Sequence, residues 1–145
     1  MRWILAIVAA LFAAAAYAND IGHIKTVRGS VHVERDGKPL AAVPGLAVRQ
    51  ADRLVTGSDG AVGVTFLDNS MLSAGPGTIL SLDRYQFDST THVGHFDASL
   101  QKGSLAGVSG KIVQQTPGAM RVRTPASVMG VRGTDFLVQV DEPVK

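Results

Sequence analysis

The chain has 145 residues, a formal net charge of +2 with histidine neutral, and no cysteine. Its length suits one domain with a single ordinary core. A cysteine-free sequence excludes a disulfide framework, a thiolate zinc site, a cysteine nucleophile and a lipidated cysteine anchor. The near-neutral charge, without a basic stripe, argues against a nucleic-acid binder.

The first 18 residues predict an export signal. Arg2 and the amino terminus form a short positive region, residues 3–17 are an uninterrupted apolar run, and Ala16-Tyr17-Ala18 has the small-x-small pattern of a cleavage site. The apolar run of 15 residues is shorter than the roughly 20 that a membrane-spanning helix needs. We therefore expect a signal peptide at 1–18, a mature domain at 19–145 without a membrane span, and a periplasmic or secreted location.

Short apolar runs separated by turn residues recur along the rest of the chain, and none keeps a helical apolar period over three turns. Alternation places Val62, Val64 and Phe66 on one face of a strand, and Asp36-Gly37 predicts a tight hairpin turn. Strands are expected at 21–28, 31–34, 54–56, 61–67, 71–74, 79–82, 95–100, 120–124 and 136–140. The prediction is an all-β fold, a single antiparallel β-sandwich or roll of many short strands.

Two segments lack a clear strand pattern. Residues 86–94 are polar with scattered histidine, which is typical of a loop. Residues 103–119 contain four glycines and a proline and stay unassigned. Residues 141–145 are expected to form a terminal tail.

The sequence has no catalytic signature and only a weak candidate for a metal site. His92 and His95 could bind a metal together with Asp97 in a loop, but not in a strand, where positions three apart face opposite sides. Solvated loop histidines are the simpler interpretation. Acidic residues such as Asp52 and Asp68 lie near turns, where aspartate usually bonds its own backbone. We expect no catalytic residue, no metal and no cofactor.

Three arginines near the end of the chain form the candidate contact site. Arg121 and Arg123 share one face of a predicted strand, and Arg132 follows nearby in sequence. Guanidinium groups bind carboxylates and other anions through paired hydrogen bonds. The alternative is a solvent-facing sheet surface whose charges discourage pairing at the sheet edge.

The closing segment resembles the FecR domain family. Thr124-Pro125-Ala126 and then Val131-Arg132-Gly133-Thr134-Asp135-Phe136 follow the family pattern of Thr-Pro, a short apolar stretch and Arg-Gly-Thr-x-Phe. Upstream, residues 27–33 resemble the opening hairpin of the family, residues 51–57 its Gly-Asp-x-apolar-x-Thr segment, and residues 60–72 its central hairpin.

The sequence departs from the family pattern at two glycine positions. Ala51 stands before Asp52 where the family has glycine, and Asn69 replaces the glycine of the usual Asp-Gly-Ser turn. Because asparagine also tolerates left-handed φ, the turn at Asn69 should survive. The resemblance spans roughly residues 24–140.

The resemblance implies an all-β periplasmic module that is not known as an enzyme. Well-studied members are envelope sensors with a cytoplasmic sigma-regulating segment and one membrane span before this domain, and they receive a signal from an outer-membrane transporter. We expect the mature chain to carry neither the cytoplasmic segment nor the span. The resemblance further implies that the domain binds an envelope protein or a cell-wall component.

The closing motif also has a structural interpretation. Thr124-Pro125 should be extended, because proline fixes its own φ and restricts the residue before it. Gly133 permits a bend, and a positive φ there would make any side chain strained. Thr134-Asp135 are expected to satisfy backbone donors at the bend, and Phe136 to begin the buried face.

Three function classes follow from these observations. The first is an exported, non-catalytic FecR-type interaction or sensing module, the second a structural or glycan-binding wall protein, and the third an enzyme. Glycan surfaces usually need exposed aromatic rings for stacking, and the candidates in the mature chain are Tyr85, Phe87 and Phe96. Phe96 alternates onto the apolar face, which weakens the glycan interpretation, so we favour the first class.

Overall fold

The computed structural model describes residues 20–133 and 135–140. Within these residues the chain forms twelve strands and one short helix, which confirms the predicted all-β fold. The elements in chain order are β1 (Asp20–Arg28), β2 (Val31–Arg35), β3 (Lys38–Ala41), β4 (Ala47–Arg49), β5 (Arg53–Thr56), β6 (Ala61–Phe66), β7 (Met71–Ala74), β8 (Ile79–Phe87), β9 (Gly94–Val108), α1 (Lys111–Gln115), β10 (Met120–Arg123), β11 (Val128–Val131) and β12 (Asp135–Val140).

The strands form two sheets that share the long strand β9. Sheet 1 has the order β4-β1-β6-β7-β9-β12, and sheet 2 has the order β3-β2-β5-β8-β9-β10-β11. Neighbouring strands are antiparallel except β9 and β10, which run parallel because the chain returns through α1 to the start of β9. The result is a curled, sandwich-like arrangement with one core between the two sheets.

Strand β9 passes from one sheet to the other at Gly103. Residues 94–102 pair with β8 in sheet 2, whereas residues 103–108 pair with β12 in sheet 1. Gly103 has a φ of +92°, and a Cβ there would overlap Thr78 Oγ1 and lie 2.5 Å from Thr78 Cα. Only glycine can therefore occupy this position without a shift of the neighbouring strand.

Three aromatic rings join the two sheets at the centre of the core. The ring of Phe66 from sheet 1 lies 4.6 Å from that of Phe96 and 5.6 Å from that of Tyr85, both from sheet 2. Val62, Val64 and Phe66 are each 2 % exposed, which confirms the face predicted by their alternation. Burying a side chain of this size stabilises the fold by about 1.5–3 kcal/mol.

The structure corrects the assignments of two segments and adds three strands. Residues 86–94 are not all loop, because β8 extends to Phe87 and β9 begins at Gly94, where the two strands pair. The unassigned residues 103–119 contain the second half of β9 and α1. The short strands β3, β4 and β11 lack alternation of their own and are held by pairing with their neighbours.

The predicted tight turns are confirmed. Asp36 and Gly37 both have positive φ, 53° and 75°, as a hairpin of this type requires. Asn69 has a φ of 68°, so the central turn survives without glycine. Ala51 also has a positive φ of 74°, which explains why glycine suits that position.

The amino-terminal signal lies outside the described residues, as do Thr134 and residues 141–145. In the part of the chain from 20 to 133 and from 135 to 140, no helix is long and apolar enough to cross a membrane.

Replacing Gly103 by alanine should lower the free energy of unfolding by about 3 kcal/mol or more, because backbone strain and overlap with Thr78 add together. Gly77→Ala is the matched control: Gly77 has a φ of +63°, but a Cβ there meets nothing within 4 Å. Gly77→Ala should lower the free energy of unfolding only by the backbone strain, about 1–2 kcal/mol. Urea unfolding of both variants measures the difference, and equal losses would refute the steric role of Gly103.

Replacing Ala51 by glycine should raise the free energy of unfolding by about 0.5–1 kcal/mol. Relief of left-handed strain exceeds the extra entropy that glycine gives the unfolded chain. Ala106→Gly is the control, since Ala106 is exposed on β9 and has no positive φ, and it should destabilise the protein by about 0.5–1 kcal/mol. Thermal melts that show both variants destabilised would contradict the strain at Ala51.

Candidate partner-binding face

Arg121 and Arg123 lie on the outer face of β10, near the edge of sheet 2. Met120 and Val122, which alternate with them, are 1 % and 0 % exposed and fix the strand to the core. Because successive side chains of a strand face opposite sides, these anchors hold both guanidinium groups toward solvent. Both arginines are exposed.

Neither Arg121 nor Arg123 forms an ion pair or a side-chain hydrogen bond with any residue that the structure describes. Asp97 of β9 is the register partner of Arg121, but the two side chains are not joined in an ion pair. Within the described residues, the charges of these two arginines are therefore not neutralised by a direct contact.

Arg132 directly follows β11 and is exposed. The register sets Arg123 opposite Val128, beside the turn of the β10–β11 hairpin, and Arg121 opposite Gly130, whereas Arg132 lies past the other end of β11. The three arginines predicted from the sequence are therefore spread along this hairpin rather than gathered at one end. Alternation in the sequence predicted β10 but not β11, and the signal for the hairpin is a Thr-Pro turn between two apolar runs.

The turn of this hairpin is built by Thr124 and Ser127. The Thr124 N–H donates to the Ser127 carbonyl at 2.8 Å, and the Ser127 N–H donates to Thr124 Oγ1 at 3.1 Å. Pro125 occupies the second turn position, where its fixed φ is favourable. This part of the closing motif has a structural role.

The segment at Gly133 does not use the conformational freedom of glycine. Gly133 has no left-handed backbone, and a Cβ there would meet nothing within 4 Å. Its carbonyl accepts a hydrogen bond from Ser109 Oγ at 2.5 Å. The contact that holds this segment is thus made by a carbonyl, which any residue could supply.

Phe136 is half-buried rather than fully buried, because β12 is the outer strand of sheet 1 in the described part of the chain. A Cβ at Gly107 would overlap the Phe136 ring, so glycine leaves the space in which the ring lies. Asp135 is exposed at the start of β12, and Val138 is the fully inward residue of this strand.

Asp68 is a buried hub rather than an ordinary turn residue, with 1 % exposure. Its carboxylate bonds the Ser70 N–H, as expected for a turn, and also accepts from Tyr85 Oη at 2.9 Å and from the Ile112 N–H at 3.3 Å. The Asp68 carbonyl accepts from the Lys111 N–H at 2.8 Å. One residue therefore ties the β6–β7 turn to β8 and to the start of α1.

Asp52 is also buried, with 1 % exposure, and pairs with Arg35. Arg35 Nε and Nη2 donate to the two carboxylate oxygens at 2.9 and 2.7 Å, and the Arg49 N–H adds a third bond at 2.8 Å. This hydrogen-bonded pairing raises the pKa of Arg35 above its ordinary value. The pair joins residues 17 apart in sequence, so no local pattern reveals it.

The histidine and aromatic candidates do not form a site. His92 lies in the turn after β8 and stacks on Phe87 with ring centroids 5.9 Å apart. No three His, Asp or Glu side chains in the described ranges could hold a metal together. Tyr85 is 5 % exposed and Phe96 is 1 % exposed, so Tyr85, a candidate for sugar stacking, is a core residue.

Tyr85 should resist deprotonation. Burial, together with the Asp68 carboxylate, raises the pKa of Tyr85 far above its ordinary value. The hydroxyl therefore contributes stability that is fully present below about pH 10, the pKa of the unfolded residue, and is lost as the pH rises toward the folded pKa. Tyr85 is the only tyrosine after residue 18, so phenolate absorbance of the 19–145 protein reports on it alone.

We expect phenolate absorbance to appear only as the protein unfolds at high pH. Tyr85→Phe should lower the free energy of unfolding at neutral pH by about 1–3 kcal/mol, because Asp68 loses a buried partner, and should flatten the loss of stability above pH 10. A phenolate that titrates near pH 10 in the folded protein would contradict this environment.

Comparison with known proteins places the site in a family context. Residues 52–145 match the family described as FecR protein. No curated protein and no solved structure matches the chain. The match begins at the buried Asp52 and includes all three arginines and the closing motif. It confirms the resemblance drawn from the sequence, although residues 24–51 lie outside the matched range.

Proposed function

The chain belongs to the FecR protein family, and from this premise we propose that it is an exported, non-catalytic interaction and sensing module of the bacterial envelope. The family supports a sensing or regulatory, envelope-associated role. The partner proposed here is an envelope protein, contacted through Arg121, Arg123 and Arg132.

Export follows from the signal pattern at residues 1–18. Cleavage after Ala18 would release a domain that begins at Asn19 and works in the periplasm or outside the cell. The β-rich fold of the described residues suits that role, because its sheets present hydrogen-bonded surfaces on which a partner can lie.

The observation that carries the proposal is the contrast between two classes of charged residue. Arg35, Asp52 and Asp68 are engaged in internal bonds that hold the fold together. Arg121 and Arg123 stand on a strand with buried anchors and have no partner among the described residues. The buried anchors fix the strand from which these guanidinium groups extend, and the planar donors of arginine suit a complementary acidic surface.

A non-catalytic role is supported by the hydrogen bonding of the buried polar groups. Throughout the described residues, each buried side-chain nitrogen or oxygen has a hydrogen-bond partner. Buried acidic groups therefore act as structural acceptors. A wall protein that binds glycan by ring stacking has less support, because Tyr85 and Phe96 lie in the core.

The test is affinity capture from envelope extracts with the mature protein as bait. We expect Arg121→Ala/Arg123→Ala to remove the specific partner band while leaving the unfolding midpoint unchanged, because exposed charges contribute only about 0.5 kcal/mol to stability. Lys25→Ala/Arg28→Ala is the charge-matched control, since both residues are exposed on β1 of sheet 1, and it should capture the partner normally.

Two results would count against the proposal. Equal capture by the arginine double variant and the wild type would remove the arginines from the contact site. Loss of capture in both double variants would mean that net charge, and not this face, controls binding.

A further inference from the structure

The strand beside the arginines is an open sheet edge. β11 pairs with β10 on one side, and it is the last strand of sheet 2 in the described part of the chain. Three of its four residues are exposed. An outer strand of this kind offers unpaired N–H and C=O groups to another chain.

The hydrogen-bond pattern identifies which groups of β11 are open. The Thr124 N–H donates to the Ser127 carbonyl at 2.8 Å, so this register pair is hydrogen-bonded. Bonded and non-bonded pairs alternate along an antiparallel ladder, and Val128 and Gly130 therefore belong to non-bonded pairs. Their backbone N–H and C=O groups point away from β10, toward the open edge.

The outer face above this edge is basic and uncrowded. The register places Gly130 beside Arg121 and Val128 beside Arg123. A Cβ at Gly130 would have one neighbour within 4 Å, Gly118 Cα at 3.9 Å, so no side chain of β11 stands between Arg121 and the edge at this position. Strands are spaced about 4.8 Å apart, and an arginine on β10 and an acidic side chain on an added strand can meet over Gly130.

The inner face of the same edge is apolar. Met129 pairs with the buried Val122, yet it is 37 % exposed because no strand covers it. A strand added to β11 would place alternate side chains on these two faces. Acidic side chains would face Arg121 and Arg123, and apolar side chains would cover Met129.

We propose that the partner contributes an extended segment of alternating acidic and apolar residues, which pairs with β11 as an additional strand of sheet 2. This inference rests on the proposed function and specifies the form of the partner. Backbone hydrogen bonds to Val128 and Gly130 supply affinity, while Arg121 and Arg123, two residues apart, read two acidic residues at the same spacing.

The test uses a blocked seven-residue peptide in which glutamate alternates with valine, labelled through a flexible linker and followed by fluorescence anisotropy. We expect saturable binding that weakens with salt. Arg121→Ala/Arg123→Ala should weaken it about tenfold, whereas Lys25→Ala/Arg28→Ala should not. A peptide of the same composition with its glutamates in one block should also bind about tenfold more weakly.

Backbone pairing is tested on both sides of the interface. Methyl groups on alternate peptide nitrogens, placed in the two possible registers, should abolish binding in one register and spare it in the other. Val128→Pro removes an N–H that faces the open edge and no ladder bond to β10, and should abolish binding while circular dichroism and the unfolding midpoint stay unchanged. If Val128→Pro unfolds the protein, the methylated peptides still test backbone pairing with the wild type.

Several outcomes would overturn the edge-strand proposal. One is equal binding of the block-order and alternating peptides. Another is a folded Val128→Pro variant that captures the envelope partner normally and still needs the arginines to do so. That result would refute pairing at the edge but leave the proposed function intact. A concentration-dependent dimer of the wild type that Val128→Pro converts to a monomer would mean that a second copy covers the edge.

Discussion

The architecture depends on one strand that belongs to both sheets. β9 can serve sheet 2 with its first half and sheet 1 with its second only because Gly103 fits against Thr78 at the crossing. The crossing is secured by hydrogen bonds between Thr78 Oγ1 and the backbone of Ser104, 3.1 Å to its N–H and 3.2 Å to its carbonyl. Two strands that follow β9 in the chain, β10 and β12, pair directly with it and take their positions from it.

The residues that carry the family resemblance serve mainly this internal framework. Thr56 accepts from the Thr78 N–H at 2.8 Å and donates to the Gly75 carbonyl at 2.6 Å, while Asp52 holds Arg35. A buried carboxylate with all its acceptors used is costly to disturb, because removal of one partner leaves a charge without compensation. The motif thus specifies a scaffold, and recognition is left to side chains that the scaffold does not use.

The outer face of β10 carries side chains that the scaffold does not use. It lies one strand from the edge of sheet 2, where the chain returns through α1 and ends the sheet with a short hairpin. The buried side of β10 fixes its position, and the exposed side carries charge that has no partner among the residues the structure describes. A strand fixed by its buried side, next to an open edge, gives a small β domain a surface on which a partner can bind.

The sequence by itself determined the fold class, the family and the faces of the long strands. Alternation is a local property, so Val62, Val64 and Phe66 could be placed inward from their spacing alone. Asp36-Gly37 and Asn69 likewise revealed their turns, since positive φ restricts which residues fit.

Only the tertiary structure decided how those strands meet. Arg35 finds Asp52 across 17 residues, and Tyr85 finds Asp68 across the same separation, because sheet pairing brings distant segments together. Sequence reasoning therefore left Tyr85 as a candidate surface ring. The arginines were identified as a group from the sequence, but the open edge beside them follows from β11, whose four residues form a strand only by pairing with β10.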